Sequence, residues 1–487
     1  MPRLAWIVGP AALVAAASVA VGVALALGGG ADPGPLSSGD DVVLIGLPIA
    51  KMLVNLSIAT ALGALLLAVF ALDAERPEFG RALDVAAAGA GVWTVAGAIT
   101  AFLTYSSLFQ SRLRFDDAVG GELATFLSQV AIGRAWLVLV LVGALLTVIC
   151  FAVRNRTLLA IVLVASGIGL VPLSADGGHA AGATSHNLAF TAIWLHTIFA
   201  AIWVGGILTL ALLRPVLDRD RLAAILPRYS SIALVAFVVV STSGVVSAWI
   251  RVGDLDGLLT PYGALVLVKS AALLALGGFG ALQRRFLIPR VVDGAARWFW
   301  GFVAGELAVM GVASGVAAAL ARTPKPVPDT VPPIEQLSPA EVLTEEPLPP
   351  ELTPERWFTA WDFDIVWSLV IAFAVAFYLA GVWRLYRRGD RWPVHRTVLW
   401  ITGMLALLWV TNGALNVYEQ YLFSAHMLGH MLLSMAIPVL FVLSAPITLV
   451  LRAVHKRDDG SRGPREWVLL VGTNAKDDGH ILALTCR

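Results

Sequence analysis

An all-α, polytopic transmembrane helical bundle of about 12 spans is predicted by three observations. The chain of 487 residues is 58% hydrophobic and only 14% charged, with mean hydropathy +0.81, far from the roughly 25% charged content of soluble domains. Its apolar runs recur at lengths that cross a bilayer, about 20 residues each. Between them, arginine is concentrated in alternate loops, the asymmetry that orients membrane proteins.

In chain order, the first apolar run is Leu4 to Leu27, after a single Arg3. It exceeds the 7–15 residues typical of a signal-peptide core, so it reads as a retained span. Further runs lie near Val42–Leu72, Ala82–Tyr105, Trp136–Val153, Leu158–Leu173, Leu188–Leu213, Ile232–Ile250 and Tyr262–Leu282. Four more lie near Phe299–Ala321, Ile365–Leu385, Val398–Val417 and His426–Val450. Arg76 and Arg81, Arg154 and Arg156, then Arg214, Arg219, Arg221 and Arg228 occupy alternate loops. Arg284, Arg285 and Arg290, Arg384, Arg387 and Arg388, and Arg452 with Lys456 continue the series. Both termini are therefore expected in the cytoplasm. The chain is expected in the plasma membrane as a multi-pass protein.

The stretch Thr323 to Pro354, rich in proline and acid, predicts an extended, solvated, extracytoplasmic linker. It divides the chain into a membrane domain of about nine spans (1–322), the linker (323–354), a membrane domain of about three spans (355–457) and a cytoplasmic tail (458–487). No nucleotide-binding or zinc-protease signature lies in a matching context. Nothing in the charge pattern points to nucleic acid. The two cysteines, Cys150 and Cys486, form no metal-binding pair of the Cys-x-x-Cys type.

The chemistry-bearing residues are histidines within or beside apolar segments. His426 and His430 are spaced i, i+4, which stacks both imidazoles on one helix face. Met427, Met431 and Met435 flank them. Imidazole with thioether is a soft, neutral donor set suited to copper, Cu(I) above all. The same residues also suit core filling and hydrogen bonding between helices. A second group, His179, His186 and His196, approaches from the outward loop before the sixth run, with His196 about two turns inside. His196 and Trp203 share a face, and Gly205 and Gly206 allow a neighbouring helix to come close.

Lys51, Lys269 and Glu306 are charges within spans. The lysines lie near outer boundaries, where snorkelling accounts for them. Glu306 is open to three readings: a proton-linked carboxylate, an arginine partner, or an interfacial group, with the second preferred. Asn412, Asn416 and Glu419 form a polar stripe suited to orienting the histidine pair or to helix packing.

The segments HNLAFTAIWLHTIFAAIWVGGIL, TPYGALVLVKSAALLALGGFGALQRRFLIPR and GELAVMGVASGVAAALARTPKP resemble the copper resistance protein D (CopD) family over roughly His179–Pro326. The stretches WDFDIVWSLVIAFAVAFYLAGVWRLYRRGDRWPVHR and LFSAHMLGHMLLSMAIPVLFVLSAPITLVLR resemble the cytochrome c oxidase assembly factor CtaG. The resemblance implies copper transport or resistance for the first part and copper delivery to the oxidase for the second, with no catalysed reaction. Copper, an oxidase subunit or extracytoplasmic copper chaperone, and the lipid bilayer are the implied partners. His426 and His430 are the implied ligands, and His196 and Lys269 fall on characteristic positions of the first family. A ligand role for Met427, Met431, His179 and His186 is a chemical expectation beyond the resemblance. CtaG proteins continue with further spans, so the ending VLLVGTNAKDDGHILALTCR reads as a truncation. Two other classes fit a histidine-bearing membrane bundle: a haem-binding redox protein and a proton-coupled solute transporter. A single-helix histidine pair suits a small ion better than the two faces of a haem.

Overall fold

The computed structural model describes residues 5–30, 41–109, 117–176, 186–288, 296–327, 337–344 and 346–477. Among them there is no strand, and 12 helical segments are long and apolar enough to cross a membrane. These are Ile7–Gly28, Val42–Phe70, Pro77–Leu108, Ala131–Ala152, Arg156–Ala175 and His186–Val216. They continue with Arg219–Val252, Pro261–Leu287, Phe299–Leu320, Ile365–Arg387, Val394–Tyr418 and Phe423–Ala453. Each answers to one predicted run.

The chain folds as two units, Met1–Asp329 and Thr330–Arg487. In the first unit, the first span packs along the ninth, the second against the third and sixth, the third against the fourth, and the sixth against the seventh. Inside a bilayer the driving force for such packing is close van der Waals contact through small residues. Gly311 and Gly315 of the ninth span have this role. A Cβ on either would stand 2.3 Å from a carbonyl oxygen of the first span, Leu13 or Ala17. The predicted close approach at Gly205 and Gly206 is also present. A Cβ on Gly205 would lie 1.6 Å from the Ala59 carbonyl oxygen, and one on Gly206 would lie 2.4 Å from the Tyr229 ring. Spans two and six therefore touch backbone to backbone.

The seventh helix starts much earlier than its apolar run. Asp218 caps it by accepting from the Arg221 amide at 2.7 Å, so the basic sequence after it is already helical. Two ion pairs hold loops on the arginine-bearing face: Arg156 with Asp73 at 3.2 Å, and Arg221 with Glu78 at 2.8 Å. An amphipathic helix, Asp117–Gln129, lies between the third and fourth spans, packed on the latter.

In the second unit the tenth, eleventh and twelfth spans pack on one another. Ile371, Met404, Leu407, Leu415, Tyr418 and Ile437 form its core. The described part of the proline-rich stretch departs from the solvated linker expected from composition. Ser338 and Glu341 form a reciprocal capping box that starts the helix Pro339–Thr344. The donated amides of Ser338 and Leu348, with the Ser338 hydroxyl, hold the Glu341 carboxyl below the usual carboxylate range. Tyr421 donates to the carbonyl oxygens of Glu346 and Pro347, each at 3.3 Å, and Tyr418 donates to that of Pro350 at 2.8 Å. Proline leaves its own carbonyl free to accept, and the tyrosines of the eleventh span's end take up these acceptors.

Candidate metal centre

The twelfth span opens with the helix Phe423–Met431. Ala425 and Gly429 are its buried side, and His426 and His430 are exposed. The i, i+4 spacing brings the two Nε2 atoms to 3.1 Å, with ring centroids 4.6 Å apart and planes inclined by 76°. In the neutral pair one Nε2 carries the proton and donates to the other. With both protons on Nδ1, each Nε2 keeps a free lone pair.

Imidazole bonds to first-row ions such as zinc are about 2.0–2.1 Å long, so nitrogens this far apart subtend an angle near ~100° at a shared ion. That is a bent arrangement, which leaves room for a third donor. Met427 and Met431 follow each histidine by one residue and are 41% and 48% exposed, their thioethers uncommitted to the core. Beyond them the helix widens into a π-turn, Leu432–Ala436, a feature common at functional sites. Met435, within this turn, is 61% exposed. Ser434 donates back to the His430 carbonyl oxygen at 2.5 Å.

The polar stripe divides. Gly413, with φ −95° and ψ −158°, ends the helix Val394–Asn412, and a short helix Ala414–Tyr418 restarts after it. Asn412 accepts from the Asp364 amide and the Ser368 hydroxyl, both at 2.9 Å, and Asn416 donates to Asp362 at 3.3 Å. Both asparagines thus secure the chain entering the tenth span and do not orient the histidines. Burial, with the charge of Asp364, pushes the Asp362 carboxyl up. Glu419 alone reaches the histidine helix. Its Oε2 lies 3.8 Å from where a Cβ on Gly429 would be, on the flank of the pair.

In the first unit, His179 lies outside the described residues. His186 begins the sixth helix with its ring 5.6 Å from that of Phe190. His196 is ten residues on, about 15 Å along the same helix, so the two do not share an ion. His196 Nδ1 is 3.2 Å from the Ser243 hydroxyl, which itself donates to the Val239 carbonyl oxygen at 2.7 Å. With the hydroxyl hydrogen committed, Nδ1 is the donor and Nε2 keeps its lone pair, the tautomer a metal ligand needs. The charges of Lys269 and Arg251 act on this imidazole. Among the described residues, no group of three or more His, Cys, Asp or Glu side chains is gathered for a metal.

The family model for copper resistance protein D matches residues 223–320, and that for the copper resistance protein D-like N-terminal domain matches 40–187. The cytochrome c oxidase caa3 assembly factor (CtaG) model matches 376–475. The chain matches a fusion of these families.

The CtaG match includes the whole twelfth span with its histidine pair, and runs on into the helix Pro464–Asp477. An uncharacterized protein of Mycobacterium leprae is 45% identical over 26% of this chain and 19% of its own length. One of Mycobacterium bovis is 41% identical over 26% of this chain and 19% of its own. The copper transport protein CutJ of Bacillus subtilis is 31% identical over 33% of this chain and 30% of its own. The chain thus spans less than a third of the length of each of these relatives. No solved structure matches. The copper-related membrane character of the chain follows from these matches together with the 12 apolar helices.

Proposed function

We propose that this is a plasma-membrane copper-handling protein without a catalysed reaction. The CopD-like unit moves copper, and the CtaG-like unit presents Cu(I) to an oxidase subunit or an extracytoplasmic copper chaperone. The observation that carries the reading is the pair of Nε2 atoms 3.1 Å apart, with exposed methionines next to each histidine in the sequence, inside the segment that matches the oxidase assembly factor. Soft neutral donors favour Cu(I) over hard divalent ions. The decisive measurement is metal analysis of detergent-purified protein with an absorption spectrum. Copper without a Soret band is expected, and a Soret band without copper would replace this reading with a haem protein.

His196 is the candidate ligand of the first unit. His196→Ala is expected to lower copper accumulation in cells, with exposed His395→Ala as the control at matched protein level. Equal effects of the two substitutions would remove the case for a site there.

The arginine asymmetry places both termini in the cytoplasm and the 323–354 stretch outside. Leu343 is 85% exposed and the Asp458 side chain 86%, whereas Ser461 is buried at 3%. In a Cys486→Ser background, an impermeant thiol reagent added to intact cells is expected to label Leu343→Cys and not Asp458→Cys. The reverse pattern would invert the topology.

A further inference from the structure

Glu306 of the ninth span is 3% exposed, so of the three readings open from the sequence the interfacial one does not fit. Its Oε2 accepts from Gln283 Nε2 at 2.6 Å, and the Trp203 side chain is a second donor. Gln283 is itself buried and begins a π-helical turn, Gln283–Leu287, at the end of the eighth span. The carboxylate borders a cavity of about 160 Å³ whose wall includes Trp203, Tyr229, Phe237, Gln283 and Arg284. The cavity reaches the exposed Arg284 and the 47% exposed Leu234.

The charged and titratable side chains on that wall, besides Glu306, are Tyr229 and Arg284. Tyr229 donates its hydroxyl hydrogen to the Trp203 carbonyl oxygen at 2.7 Å. Arg284 is held by Ser230, with Nε 3.0 Å and Nη2 2.9 Å from its hydroxyl and Nη2 2.5 Å from its carbonyl oxygen. Neither neutralises Glu306. Among the described residues an amide, Gln283, stands where the sequence preferred an arginine partner.

A carboxylate buried with neutral donors alone is costly unless it takes up a proton or a cation. One carboxylate and one amide make no chelate for a metal ion, and Arg284 at the rim repels an incoming cation. A proton needs only water, for which the cavity has space, since a water occupies about 30 Å³ in the liquid. Ionisable groups inside membrane spans commonly act as proton relays.

We propose that this cavity is a proton-exchange site, with Glu306 the group that takes and releases the proton and Gln283 the donor that supports its ionised form. In the uptake step a hydronium ion entering from the aqueous phase breaks one of its O–H bonds, a new O–H bond forms on the Glu306 carboxylate, and a neutral water is left in the cavity; release reverses it. No histidine lines the cavity, so the proposal does not depend on the copper reading.

The test is modification of the full-length purified protein by a hydrophobic carbodiimide, which attacks protonated carboxyl groups in apolar surroundings, followed by peptide mass spectrometry across a pH series. An adduct on Glu306 that diminishes as pH rises is expected. Glu306→Gln, which preserves volume, should lose the adduct on that peptide. A Cβ on Gly280, which lines the cavity, would meet nothing within 4 Å. Gly280→Leu should therefore keep its elution profile and be modified several-fold more slowly. Absence of an adduct on Glu306 at every pH in the folded wild type, or a rate that does not change with pH, would overturn the proposal. A Gly280→Leu variant that is folded and modified at the wild-type rate would do the same.

Discussion

In a competition titration against a Cu(I) chelator, His426→Ala and His430→Ala are each expected to weaken binding by at least about 100-fold, because loss of even an orienting partner costs about 10–100-fold. The double variant should bind no copper in the second unit. The two nitrogens are 3.1 Å apart, and no group of three or more His, Cys, Asp or Glu side chains that could replace either is gathered among the described residues. Met435→Leu, roughly conserving volume, should have a smaller effect, since one of three nearby thioethers is removed. Protons compete for the same nitrogens, so the affinity of the wild type should decline as the medium is acidified, and that decline should disappear in the double variant. Both histidines are exposed and the helix packs through Ala425 and Gly429, so the helical circular dichroism should be unchanged. Copper stoichiometry equal to wild type in the double variant would show that the pair is structural.

Gly205→Ala is expected to abolish stable folding of the first unit. A new Cβ at 1.6 Å from the Ala59 carbonyl oxygen cannot be relieved by a rotamer change, because the obstacle is backbone. Gly63, on the facing helix, is under the same restriction, with a Cβ 2.2 Å from the Gly205 carbonyl carbon. The two spans would have to separate along a seam where Ala59 and Gly63 face Gly205 and Gly206. Overpacking a well-filled core typically costs ~1–3 kcal/mol, and forcing two backbones apart should exceed that. Gly91 is the matched control, because a Cβ there meets nothing within 4 Å. Gly91→Ala should be neutral or stabilise by up to about 1 kcal/mol through helix propensity. Thermal unfolding in detergent, followed by size-exclusion chromatography, separates the outcomes. A folded, monodisperse Gly205→Ala variant with wild-type thermal stability would show that the seam is plastic.

The histidine pair was legible from residue spacing because its geometry is local: four residues on a helix place two rings on one face whatever surrounds them. The same holds for the small residues at Gly205 and Gly206, although the partner they admit, Ala59 with Gly63, is set by which faces meet. The copper resistance protein D-like N-terminal match over 40–187 precedes nearly all the motifs that carried the resemblance from the residues. The polar stripe was open to two readings, and its asparagines take the packing one. Asn412, Asn416 and Glu419 align only on an unbroken helix, and Gly413 ends one helix and starts another.

Hydropathy and charge alone thus determined the number, order and approximate limits of the spans. A segment of about 20 apolar residues must satisfy its own backbone groups in lipid, and a helix is the way a single segment does so. Tertiary structure alone decided what depends on contacts distant in the chain. Asp73 meets Arg156 across 83 residues, Gln283 meets Glu306 across 23, and Tyr418 meets the Pro350 carbonyl across 68. Such pairings follow from which helix faces pack and where π-turns shift the register, and neither has a periodic signature in the residues themselves. For Glu306 the consequence is chemical. On the proposed reading, a carboxylate given an amide by the described residues keeps its capacity to take up a proton, which a paired arginine would oppose.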